Sequence, residues 1–157
     1  MTIRELAERL EKASGPDRVL DGDLALAFGL PQEFFNQFAA DIDGIPFKTT
    51  GFDNVDGPDC YHAPIWGGGG RRWEAPTYTS SIDAAVALIE KALPEWQGDL
   101  DICRPMTNGL YGARLFGPAD QWQIVNFAGE AKTPAVALCL VLVKAILAAR
   151  SKEKGDE

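Results

Sequence analysis

The stretch Thr133-Pro134-Ala135-Val136-Ala137-Leu138-Cys139-Leu140-Val141-Leu142-Val143-Lys144-Ala145-Ile146-Leu147-Ala148-Ala149-Arg150 decides the fold. Thr133 can accept the free N–H groups of a first helical turn, and Pro134 has φ preset for a helix start and no amide to lose. Every residue from Ala135 to Val143 is apolar, so a helix here has no solvent stripe before Lys144 and must be covered on several sides. Arg150, Lys152 and Lys154 put positive charge at its C-terminal end, where the helix dipole favours it. The run is shorter than the roughly 20 apolar residues a bilayer requires and is broken by Lys144, which predicts a core helix and no membrane span.

Around this helix, 157 residues are enough for one domain with a real core. The balance of 15 Lys+Arg against 23 Asp+Glu leaves a charge of −8, which opposes binding of duplex DNA or RNA across the whole surface. Screening confines that effect, so a local basic pair such as Arg71-Arg72 is judged separately. Cys60, Cys103 and Cys139 are odd in number and lack paired spacing, which predicts a reduced, cytoplasmic setting with Cys139 a small buried hydrophobe. The N-terminal residues are charged and amphipathic, with no signal-peptide core.

Upstream, Thr2 and Glu5 have capping-box spacing before Ile3, Leu6, Ala7 and Leu10, which predicts a first amphipathic helix. Ser14-Gly15-Pro16 breaks it. Asp17 is placed to cap a second helix with Leu20, Leu24, Ala27 and Phe28 as its apolar residues and Gly29 as its stop. Asp17, Asp21 and Asp23 make its start acidic, and the expectation is a solvated face in preference to a cation site. Pro31 can start a short helix over residues 31–40 with Phe34, Phe35 and Phe38 on one side.

Residues 43–75 are rich in Gly, Pro and Asp and form a variable insertion, the place to look for a site. The run Gly67-Gly68-Gly69-Gly70-Arg71-Arg72 lacks the Gly-Lys-Ser/Thr ending of a phosphate loop. It reads either as a hairpin tip or as exposed amides followed by two guanidinium groups that grip an anion, with aromatic rings beside them for stacking. The ligand-binding candidates are Tyr61, Trp66, Gly68, Gly69, Arg71, Arg72 and Trp73. Asp53, Asp56, Asp59, Cys60 and His62 follow neither calcium-loop nor zinc spacing, so no metal or cofactor is expected. No catalytic residue is assigned: a nucleophile among Tyr78, Thr79, Ser80 and Ser81 would need a base, and His62, the single histidine, is not placed beside them. Capping and packing explain that cluster better.

Ser80 and Asp83 predict the start of a helix carrying Ile82, Ala85, Val86, Ile89 and Leu93 on one face and ending at Pro94. Trp96 is expected to pack beside it. Residues 98–104, 110–116 and 121–128 read as three strands joined by Asn108-Gly109 and Gly117-Pro118 turns. Trp122 and Ile124 alternate with Val125 and Phe127, so helices are expected on both faces of the sheet. The tail, residues 151–157, is expected to fray.

Three blocks in order carry a resemblance: Thr2 to Leu10 with Gly15-Pro16-Asp17-Arg18, Tyr78 to Ala85, and Thr133 to Cys139. Together they resemble the small phage and prophage proteins of the phage ABA sandwich domain family, over residues 1–29 and 76–150. The resemblance implies an α+β chain folded as a three-layer α/β/α sandwich, with a small antiparallel sheet of about three strands, as a single domain over residues 1–150. It transfers no activity and no site residues. The expectation is a phage- or prophage-encoded, non-enzymatic binding protein in the cytoplasm of a bacterial host, a host-interaction or anti-defence factor. Its partner is a host protein or a small nucleotide-like molecule. The alternatives are a structural module that forms a homo-oligomer and, more remotely, a metal-assisted enzyme using Asp59, Cys60 and His62.

Overall fold

The computed structural model describes residues 2–29, 60–63, 71–94, 101–102, 108–116 and 126–153. Thr2 Oγ1 accepts from Glu5 N while Thr2 N donates to the Glu5 carboxylate, and this reciprocal pair opens α1, Ile3–Lys12. Its apolar stripe, Leu6, Ala7 and Leu10, is buried. Asp17 caps α2, Arg18–Leu24, by accepting from Val19 N and Leu20 N. The chain then widens into a π-helical turn, Ala25–Gly29. A methyl group on Gly29 would lie 2.5 Å from the Tyr78 hydroxyl, so the glycine expected as a helix stop also admits a close neighbour.

The remaining helices are α3, Ile82–Ala92, and α4, Pro134–Glu153. Ser81, one residue later than expected, caps α3 by accepting from Ala84 N. Ser80 lies in the preceding turn, its own N–H donating to the carbonyl of Thr77. Thr133 caps α4 as expected, with Val136 N donating to its hydroxyl.

Two antiparallel sheets complete an α+β fold: a ribbon of β1, Cys60–Ala63, and β2, Arg71–Glu74, and a sheet ordered β3, Asp101–Ile102, then β4, Tyr111–Phe116, then β5, Asn126–Ala131. β5 runs three residues beyond its expected end at 128. The reason lies at Gly129: α4 crosses so closely that a methyl group there would sit 3.0 Å from both the Ala137 carbonyl oxygen and the Val141 nitrogen. Close helix–sheet contact selects a segment that alternation of large side chains does not.

α4 is the hub. β4 and β5 cover one side of it, and α1 and α3 cover others, which leaves Val136 to Val143 buried throughout. Burying each Leu or Val of this run stabilises the fold by about 1.5–3 kcal/mol, an upper figure because the unfolded chain is not fully extended. Ala113, Leu115, Gly129 and Ala131 share the buried sheet face, while Arg114, Ala128 and Glu130 on the other face are exposed. Among the described residues, α4 packs on the face of Ala113, Leu115, Gly129 and Ala131. The predicted helix at 31–40 and the positions of Trp96, Trp122, Ile124 and Val125 lie outside the described residues.

Candidate functional site

The insertion contains regular structure where the sequence suggested a long irregular loop. β1 and β2 pair with Tyr61 opposite Trp73, His62 opposite Arg72, Ala63 opposite Arg71 and Cys60 opposite Glu74. Residues directly opposite in an antiparallel pair share a face, and neighbours along a strand alternate. One face of the ribbon thus carries the Tyr61, Trp73, Ala63 and Arg71 positions, and the other carries Cys60, His62, Arg72 and Glu74. Positions 71 and 72, adjacent along β2, alternate between the two faces in this register. Trp66, Gly68 and Gly69 lie outside the described residues.

The base of the ribbon is tied to the core through Arg18. One of its terminal nitrogens donates to Asp21 Oδ2 at 2.9 Å, and the other reaches the Ala75 carbonyl at 2.8 Å and Glu74 Oε1 at 3.4 Å. Asp21 is almost fully buried, and its Oδ1 accepts from Thr79 N at 2.7 Å. The Thr79 hydroxyl accepts from Asp17 N at 2.8 Å and donates to Asp17 O at 3.2 Å. These bonds lock the start of α2 against the segment that leads from β2 into α3. Apart from Arg18 at its exit, the ribbon has no extensive packing against another described element.

The acidic start of α2 is therefore not a solvated face. Asp17 caps, Asp21 anchors Arg18 and Thr79, and Asp23 pairs with Arg9 of α1. Tyr78 and Thr79 are buried and Ser81 is a cap, so the hydroxyl cluster has structural work. Burial pushes the Tyr78 phenol up to about 12, with Cys139 and Asp21 adding to the rise. Burial likewise raises the Cys139 thiol, which donates to the Tyr78 carbonyl at 3.5 Å. Burial lowers the Lys91 ammonium, which donates to the Gly29 carbonyl at 2.7 Å. Among the described residues no group of three His, Cys, Asp or Glu side chains is placed to hold a metal, and no helix is long and apolar enough to cross a membrane.

Arg18 has a role that no local sequence pattern announces in full. The local signal was an arginine three residues before an aspartate on one helix face, but its far partners, Glu74 and Ala75, lie 56 and 57 residues away. No protein-family model, no curated protein and no solved structure matches this chain.

Proposed function

We propose that the chain is a small non-enzymatic binding protein of phage or prophage origin, acting in the cytoplasm of a bacterial host, with the β1–β2 ribbon as its recognition element. The preferred ligand is a nucleotide-like molecule, and a host protein is the alternative. One observation supports this reading: in the register of the ribbon, positions 61, 73 and 71 fall on one face, and Arg18 ties the exit of the ribbon to the core. Aromatic rings beside a guanidinium suit a planar anionic ligand. Calorimetric titration of the wild type and of an Arg71→Ala/Arg72→Ala variant against a nucleotide panel tests it. Heat that is lost in the variant supports the nucleotide form, and no heat with any nucleotide removes it. A host protein retained by the wild type but not by Tyr61→Ala/Trp73→Ala would then carry the alternative.

Kinship with the phage ABA sandwich domain family and the three-layer α/β/α arrangement belong to the same proposal. The layer arrangement is supported by α4 seated on one face of a thin sheet. The homo-oligomer alternative drew on surplus apolar surface of the last helix, and that surface from Val136 to Val143 is buried within the single chain.

A further inference from the structure

We infer that residues 25–29 form a two-state register element, held as a π-turn by Tyr78 and Lys91 and able to close into a continuation of α2. The local sequence favours the second state. Ala25, Leu26 and Ala27 are among the strongest α-helix formers, and the spacing Leu20, Leu24, Ala27, Phe28 is that of one apolar α-helical face. Continued from α2 at about 100° per residue, positions 27 and 28 would lie within about 80° of Leu20, and position 29 would point about 180° away from it. The structure shows the reverse: Ala27 is exposed, Phe28 is half-buried and Gly29 is buried. The wider π-turn sets the chain back by about one position, so Gly29 occupies the inward slot that the α register gives to Phe28. Two contacts hold it there. The Tyr78 hydroxyl covers the slot so closely that a methyl group at position 29 would lie 2.5 Å from it, which leaves no room for a phenylalanine ring. Lys91 donates to the Gly29 carbonyl at 2.7 Å and fastens the end of the turn to α3. Tyr78 is fixed in turn, because its carbonyl accepts from Cys139 and the adjacent Thr79 is bonded to Asp21 and Asp17. A change of register turns the direction in which the chain leaves position 29 by about 100°, which makes the element a pivot.

The test is the rate of thiol labelling of Ala27→Cys in the full chain, in a Cys60→Ser/Cys103→Ser background, because position 27 is outward in the π register and inward in the α register. The introduced thiol is expected to react rapidly there. Adding Gly29→Ala, which sets a methyl group against the Tyr78 hydroxyl, is expected to slow the reaction about tenfold or more, the factor that corresponds to about nine-tenths of the molecules in the α register. Adding Tyr78→Phe to that variant removes the hydroxyl and leaves the methyl group 3.3 Å from the ring Cζ and 3.4 Å from Leu88 Cδ1, so the rate is expected to return to within about threefold of the first value. Slow labelling without Gly29→Ala, or labelling that Gly29→Ala leaves unaltered, would overturn the inference. Failure of Tyr78→Phe to restore the rate would overturn it as well, by removing Tyr78 as the block. Loss of the fold in Gly29→Ala, seen as reaction of the buried Cys139 too, counts against it in the same way, because it leaves the chain no second register.

Discussion

The backbone N–H of Thr79 donates to the buried Oδ1 of Asp21 across 2.7 Å, joining α2 to the turn before α3 over 58 residues of chain. The same carboxylate holds Arg18 through its second oxygen. One side chain thus fixes both the helical hairpin and the exit of the ribbon.

Replacing Asp21 by Ala leaves the buried Thr79 amide without its acceptor and removes one contact of the partly exposed Arg18 guanidinium. The expected loss is about 2–4 kcal/mol, read as a lower urea midpoint at constant slope. Asp21→Asn keeps an acceptor for Thr79 and is expected to cost about half as much. A variant as stable as the wild type would show that the network is dispensable.

Arg18→Ala separates the ribbon from the core without touching the hydrophobic cluster. Amide exchange at Arg71 to Glu74 is expected to rise about fivefold, corresponding to a loss near 1 kcal/mol, with α4 amides unchanged. Uniform change across the whole chain would instead indicate global destabilisation.

Gly129→Ala pushes a methyl group to 3.0 Å from the Ala137 oxygen and the Val141 nitrogen, both backbone atoms of the central helix. The expected cost is about 1–3 kcal/mol. Gly15→Ala, where nothing lies within 4 Å, serves as the control and is expected to be neutral or slightly stabilising. Thermal melts of the pair decide whether close helix–sheet contact holds in solution.

Tyr78 supplies an alkaline test. Its folded pKa of about 12 lies above the ordinary value of 10.0, so its contribution to stability is full below pH 10 and is lost as pH rises toward 12. Ultraviolet titration is expected to show a late phenolate that disappears in Tyr78→Phe, and that variant should lose less stability than the wild type over the same interval. A phenolate forming at pH 10 in the folded protein would contradict the burial.

Cys139 is buried and its thiol is raised by burial, so little thiolate exists near neutral pH. In a Cys60→Ser/Cys103→Ser background, a thiol reagent at pH 8 is expected to react only as denaturant opens the chain. Rapid reaction of the folded protein would place Cys139 at the surface.

The parts of this fold legible in the sequence are those whose signals are local. Thr2 with Glu5, Asp17, and Thr133 with Pro134 each announce a helix start within a few residues, and each does so in the structure. Ser80 and Ser81 offer equivalent hydroxyls, and the turn closed by Thr77 determines which one caps. Asp21 looked solvated because its partner, Thr79, lies on a distant segment. The end of β5 was misplaced because Gly129 and Glu130 have weak strand propensity and are recruited by contact with α4. At the ribbon, the glycine run and its flanking arginines mark the segment, but the pairing of residues 60–63 with 71–74 is not visible in any local pattern.

Since α4 follows the other described elements along the chain, a nascent polypeptide lacking residues 134–146 has lost the main surface that covers Leu6, Leu10, Leu88 and Leu115. Those leucines keep an incomplete cover until α4 has been made. Synthesis of this protein therefore passes through a sticky interval, and a chaperone that shields leucine-rich stretches should govern its yield more than the rate of translation does.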